Sequence, residues 1–247
     1  MHEVKFTNPK VAERMAAWKA GTARFDLSHC GLTSDDLEQL GCDEVVTSSV
    51  MYVFMPGNPA EQWIEGVHAL ARFKRFKGAS FKDCELGQVR DVGRRLGDCL
   101  KRCAPFVGLT LTLNALHADQ LAPLFERLPF LGSTDLSGND FDDLTGLAEA
   151  MRPLYKLYGL KIGFNPFERI APLVAAGALR NIGQLYLWEC ENLIDVESLA
   201  PLAWDTGGNL QFVDLRGCTA WQERLIAEPS LLMAGGDNSN GEPLLGV

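Results

Sequence analysis

A chain of 247 residues, 47% hydrophobic and 22% charged, has ordinary globular composition and ample material for a core, which excludes disorder, collagen and a disulfide-stapled miniature protein. Thirty-two Asp and Glu against 23 Lys and Arg give a net charge of -9. Such a chain repels phosphate backbones, which excludes nucleic acid as its main partner.

The first 21 residues, MHEVKFTNPKVAERMAAWKAG, lack the apolar run of a secretory signal. No window approaches the ~18 uninterrupted apolar residues of a membrane span. The expectation is a cytoplasmic protein, signal-independent export staying open. PKVAERMAAWKA, with Pro at its start, reads as a helix that caps the N-terminal end, so 1–22 is set apart as a cap. From there a short apolar-x-apolar pattern alternates with helical periodicity. FDLSHCGL is followed by DDLEQL, and VFMPGNPA by AEQWIEGVHALARF. ASFKDCEL precedes GQVRDVGRRLGDCLKR, and the pattern at Leu111 precedes ADQLAPLFERL. TDLSGNDF leads into DDLTGLAEAMRPL and LKIGFNPF into ERIAPLVAAGAL, each helical stretch having apolar residues at three-and-four spacing. LYLWECENLID and the pattern around Leu215 complete the series over 23–218. TAWQERLIAEPSLLMAG (219–233 in the main) supplies a closing helix, and the Gly/Asn/Pro-rich 234–247 reads as a flexible tail.

The second apolar position of each pattern serves as an anchor: Leu27, Met55, Phe81, Leu111, Leu136, Ile162, Leu187 and Leu215, with spacings of 25 to 30 residues. Three residues after each anchor stand Cys30, Asn58, Cys84, Asn114, Asn139, Asn165, Cys190 and Cys218, Asn or Cys at all eight positions. On these residues the chain resembles the leucine-rich repeat family, whose repeats run ~20–29 residues. The ribonuclease-inhibitor type is suggested by GNDFDDLTGLAEAM and the cysteine-containing type by LYLWECENLID. The resemblance implies an α/β solenoid of about eight strand–turn–helix repeats, with a parallel sheet on the concave side and helices on the convex side. It also implies that the Asn/Cys side chains bond backbone groups of adjoining coils, since an amide both donates and accepts and a thiol donates weakly. With no linker between repeats, residues 1–247 are expected to form a single domain.

No catalytic constellation emerges. His2, His29, His68 and His117 lie apart, without a Cys or Asp partner in a nucleophile motif. Cys99 and Cys103 share a helix face, but no second ligand pair accompanies them, so buried packing is preferred to a metal site. GQVRDVGRRLG lacks the strand–turn–helix context of a phosphate loop. Asp35, Asp36, Asp142 and Asp143 sit at helix starts as caps. We expect no enzyme activity, no cofactor and no metal.

Charge is uneven: residues 1–107 carry a net +1 and residues 108–247 a net -10, which suits a basic protein partner. Arg72, Lys74, Arg75 and Lys77 are read as a solvated convex face. The strand positions next to the anchors face the concave side. There the last three repeats bring Lys161 and Phe164, then Tyr186, Trp188 and Glu189, then Phe212, Asp214 and Arg216. Trp, Tyr and Arg dominate binding energy at interfaces. Tyr186, Trp188, Phe212 and Arg216 are therefore expected to grip a protein, with Lys161, Glu189 and Asp214 setting specificity. Cover by the C-terminal segment and self-association are the competing readings of this patch; a monomer is favoured. Trp18, Trp63, Trp204 and Trp221 are assigned to packing.

Overall fold

A computed structural model of the chain describes residues 4–103, 107–203, 206–227 and 245–246. The chain opens with α1 (Pro9–Lys19), whose N-cap Asn8 accepts from the Lys10 amide. The Asn8 side-chain amide donates to Cys30 O and to Asp36, and Lys19 reaches Asp43 at 2.6 Å, which ties this helix to the first coil. Val11 and Met15 are its buried face.

Seven three-residue strands follow at the pace of the anchors: β1 (Tyr52–Phe54), β2 (Gly78–Ser80), β3 (Gly108–Thr110), β4 (Ser133–Asp135), β5 (Gly159–Lys161), β6 (Gln184–Tyr186) and β7 (Phe212–Asp214). They pair in sequence order, parallel and without slippage, so three columns run straight across the sheet. The middle column, Val53, Ala79, Leu109, Thr134, Leu160, Leu185 and Val213, points inward and is buried throughout. All eight anchors are buried to 1% exposure or less. The first coil joins the sheet through Leu27 N–H to Phe54 O at 2.8 Å, although its Phe25–Leu27 segment forms no strand. At the other edge Leu245–Gly246 pairs with Val213 and Asp214 as β8. The rest of the expected flexible tail (234–247), and the expected closing helix beyond α9 (Thr219–Ala227), lie outside the described residues.

The Asn/Cys column supplies the bonds that a strand-to-helix turn leaves open. Asn139 Oδ1 accepts the Asn114 and Leu116 amides, and its Nδ2 donates to Leu111 O and Leu136 O. Asn58, Asn114 and Asn165 repeat the arrangement one coil apart. The thiols of Cys84, Cys190 and Cys218 donate to Met55 O, Ile162 O and Leu187 O of the coil before them, at 3.2, 3.5 and 3.1 Å. Cys30, in the first repeat, donates instead to Ser28 O of its own turn.

The helical layer is shorter and less regular than its periodicity predicts. AEQWIEGVHALARF divides into α4 (Ala60–Trp63) and a 3-10 helix, Ile64–Arg72. GQVRDVGRRLGDCLKR gives a 3-10 turn, Leu86–Gln88, and α5 (Val92–Leu100). After α2 (Ser34–Cys42), a separate α3 (Glu44–Ser49) forms because Asp43 ends one helix and caps the next, accepting from the Val45 and Val46 amides. Then come α6 (Ala118–Phe125), α7 (Thr145–Met151) and α8 (Ala171–Ala175), with the 3-10 helix Val196–Leu202 behind β6. Neighbouring helices abut closely: a Cβ on Gly93 would stand 1.7 Å from Gln120 O.

Some basic side chains on this convex layer pair between coils. Arg72 meets Glu38 at 2.9 Å, Arg127 meets Asp98 at 3.0 Å, and Arg95 meets Glu65. Cys99 and Cys103 are buried core residues. Trp63 and Trp221 are buried and Trp18 packs on the core against Phe25, while Trp204 lies outside the described residues.

Candidate protein-binding surface

The two outer columns of the sheet face solvent. Their residues line a cavity of about 390 Å³ that spans β1 to β6. Its floor is low in the middle, where the first strand position holds Gly78, Gly108, Ser133 and Gly159. It rises at both ends, to Tyr52 and Phe54 on one side and to Gln184 and Tyr186 on the other. Glycine inside a strand leaves backbone open to close approach by another chain. Sequence reasoning weighted only the C-terminal wall. Tyr52 and Phe54, 47% and 40% exposed, make a second aromatic wall that it missed. The signal lay three residues before the last seven anchors, where Tyr, Gly, Gly, Ser, Gly, Gln and Phe succeed one another.

At the C-terminal wall the structure brings the expected aromatics together. The Tyr186 ring stands 5.3 Å from Trp188, edge to face, and 5.2 Å from Phe212. The Lys161 ammonium lies 5.1 Å over the Tyr186 ring and 5.6 Å over Trp188, and among the described residues it has no carboxylate partner. Trp188 reaches this position because the next coil inward has no side chain there: a Cβ on Gly163 would fall 2.6 Å from the indole. Trp188 and Tyr186 are half-buried, whereas Phe164 and Phe212 are 57% and 42% exposed.

Asp214 departs from the expectation that it faces a partner. It is 4% exposed, and its two oxygens take Arg216 Nε at 2.9 Å and Nη2 at 2.6 Å. Its Oδ1 also accepts the Arg216 amide. These hydrogen bonds hold the Asp214 carboxyl below its ordinary range in spite of burial. A residue at the third strand position should point outward, but Arg216, two places on, folds back and seals it. Asp214 is therefore a support for Arg216, whose own side chain stays 76% exposed.

The turn beside the sheet has its own regularity. Two residues after every anchor the backbone is left-handed: His29, Gly57, Asp83, Leu113, Gly138, Phe164, Glu189 and Gly217 all have φ between 54° and 76°. The five non-glycine side chains are exposed along one rim. His29 lies over Gly57 and Leu113 over Gly138, occupying the space a Cβ would take. This rim also carries Glu85, Asp140 and Glu191, and among the described residues none of its carboxylates is in an ion pair. On the helical side Glu126, Glu149 and Glu197 are paired with arginines.

Cys84, Cys190 and Cys218 are accounted for by the ladder, and burial pushes their thiols up to about 11, 12 and 11. Among the described residues no group of three His, Cys, Asp or Glu could hold a metal ion, and no helix is long and apolar enough to cross a membrane.

No family model matches this chain, and no curated protein matches it. Among solved structures it is similar to the leucine-rich repeat-containing protein LegL7 from Legionella pneumophila, with 17% identity and a TM-score of 0.59 over 79% of this chain and 64% of that one. The chain therefore spans a little under two thirds of that protein. Internalin C2 from Listeria monocytogenes aligns at 19% identity over 85% of this chain and 94% of its own, with a TM-score of 0.45. Internalin F from the same organism aligns at 14% identity over 85% and 89%, with a TM-score of 0.27. The two internalin alignments are too loose to carry an argument, and the first speaks to architecture alone. Eight periodic anchors, an Asn/Cys ladder, one in-register parallel sheet and that structural likeness agree: this chain has the leucine-rich repeat fold.

Proposed function

We propose that the chain is a single-domain, non-catalytic scaffold that binds another protein on its concave sheet. One observation carries this reading. Tyr186, Trp188 and Phe212 form a packed aromatic cluster on the solvent side of the sheet, with the Lys161 ammonium, unpaired among the described residues, above it. Rings held in place by their neighbours bind at low entropic cost, and a cation over them adds polarity to the contact. Phe164 and Glu189 flank the cluster, and Arg216 stands beside it, fixed by Asp214. The cavity lining holds one carboxylate, Asp135, and one ammonium, Lys161, and its open sheet suits contact area better than chemistry. Seven free cysteines, six of them buried, suit a reducing, cytoplasmic setting.

Trp188→Ala and Lys161→Ala should each abolish capture of the partner from native lysate, read by quantitative mass spectrometry, while thermal stability stays close to that of the parent. Unfolding of both variants would show that these residues serve packing and would end the binding reading. Sedimentation at micromolar concentration separates a foreign partner from self-association: a dimer that Trp188→Ala dissolves would assign the patch to assembly.

A further inference from the structure

We infer that the turn rim is a second docking surface, for a basic amphipathic helix of a partner protein. It goes beyond the concave-face reading: Phe164 and Glu189 border both surfaces, whereas Leu113, Asp83, Glu85 and Asp140 belong to the rim alone. Leu113 and Phe164 are large apolar side chains, 48% and 57% exposed, on backbone at φ 57° and 54°. Left-handed backbone costs a residue with a Cβ about 1 kcal/mol or more, and roughly half of each side chain stays in solvent. Leu113 stands in the fourth coil and Phe164 in the sixth, with Gly138 between them. Two strand spacings put their backbones about 10 Å apart. Along a helix, same-face side chains seven positions apart are separated by ~10.5 Å; along a strand, same-face pairs fall near ~7 or ~13 Å. The helix fits the spacing.

Charge fixes the chemistry of the occupant. Asp83, Glu85, Asp140 and Glu189 stand on this rim without ion pairs among the described residues, with Lys82 as the neighbouring cation. Several carboxylates of the convex side, among them Glu38, Glu65, Asp98 and Glu149, are by contrast met by arginines. A helix with two large apolar side chains seven apart and lysines or arginines beside them would seat the first on Leu113 and Phe164 and set the second against those acids. Such a surface repels nucleic acid and anionic lipid by the same charge.

The probe is a fluorescent lysine/alanine peptide with two leucines about seven positions apart, titrated against the full chain by anisotropy. The wild type should bind it, more weakly as salt is added. The Leu113→Gly, Phe164→Gly double variant should bind about tenfold or more weakly, with a Tm equal to or above the parent's. Asp83→Asn with Asp140→Asn should weaken binding in a manner that high salt abolishes. Peptides with serine for leucine, or glutamate for lysine, should not bind. The inference is overturned if the wild type fails to bind the probe, if the glutamate peptide binds as well, if either variant binds as the wild type does, or if the glycine variant melts lower. Trp188→Ala and Lys161→Ala leave Leu113 and the rim acids in place and should bind the probe as the wild type does, so the two surfaces fail separately.

Discussion

Replacing Asn139 by alanine tests the ladder where it is most complete. The side chain is 1% exposed and makes four bonds to backbone: Asn114 N and Leu116 N at 3.1 Å, Leu111 O at 3.0 Å and Leu136 O at 2.9 Å. Leu136 O keeps a second donor in Asn165, so alanine strands three buried groups. At roughly 1–2 kcal/mol for each orphaned group, the loss should be about 4 kcal/mol. Asn139→Cys restores a donor, as Cys84 and Cys218 show in their coils, but leaves the Asn114 and Leu116 amides open. Its loss should be about 1 kcal/mol smaller than that of alanine. Asn192→Ala, which removes one exposed bond to Pro166 O, is the control and should stay within ~0.5 kcal/mol of the parent. Urea denaturation gives the totals, and hydrogen exchange at Asn114 and Leu116 locates the damage. A loss below about 1 kcal/mol for Asn139→Ala, or equal losses for alanine and cysteine, would refute the account of the column.

Thiol labelling of the native protein should modify Cys42, the exposed cysteine, and spare Cys84, Cys190 and Cys218, whose thiols burial holds near 11 to 12. Mass spectrometry after a brief pulse checks this, and early labelling of Cys190 would contradict it. The Asp214 carboxyl titrates below its unfolded value of ~3.9, so it favours the fold above that pH and ceases to as pH falls through its lowered folded value. Asp98, held down to about 2 by Lys101 and Arg127, acts in the same direction. Asp214→Asn should therefore destabilise the protein at pH 7 and flatten the acid limb of a Tm-against-pH curve; an unchanged limb would show that Arg216 does not hold the carboxylate.

What the sequence disclosed was whatever repeats. Anchors and ladder recur every 25 to 30 residues, and a packed coil demands the same residue at the same place each time, so both were legible. The helical layer was less so. AEQWIEGVHALARF has helical periodicity, yet its second part tightens to 3-10 where Gly66 packs on the Ser34 backbone, a constraint set by the neighbouring coil. Asp214 reads as an outward strand residue, and the fold-back of Arg216 and the pairing of β7 with β8 are visible only in the fold. Tyr52 and Phe54 lie in the repeat that carries Pro56 and Pro59, residues that cannot donate to a ladder. In the structure that segment pairs in full register with β2. The aromatic cluster was legible as a composition, and the geometry added the ammonium above it and the missing side chain at Gly163 that admits the indole.

The ladder also has a direction. Asn58 bonds to Leu27 O and Leu32 N, Asn114 to Phe81 O and Leu86 N, and Asn165 to Leu136 O and Phe141 N, so each amide, besides bonding its own turn, reaches into the coil before its own. A coil is closed by a residue that the ribosome has not yet added when its own strand is complete. As the chain is made from the N-terminus, the newest coil holds open backbone groups until a further 25 to 30 residues have emerged. The chain thus grows as a series of provisional ends, each sealed by its successor.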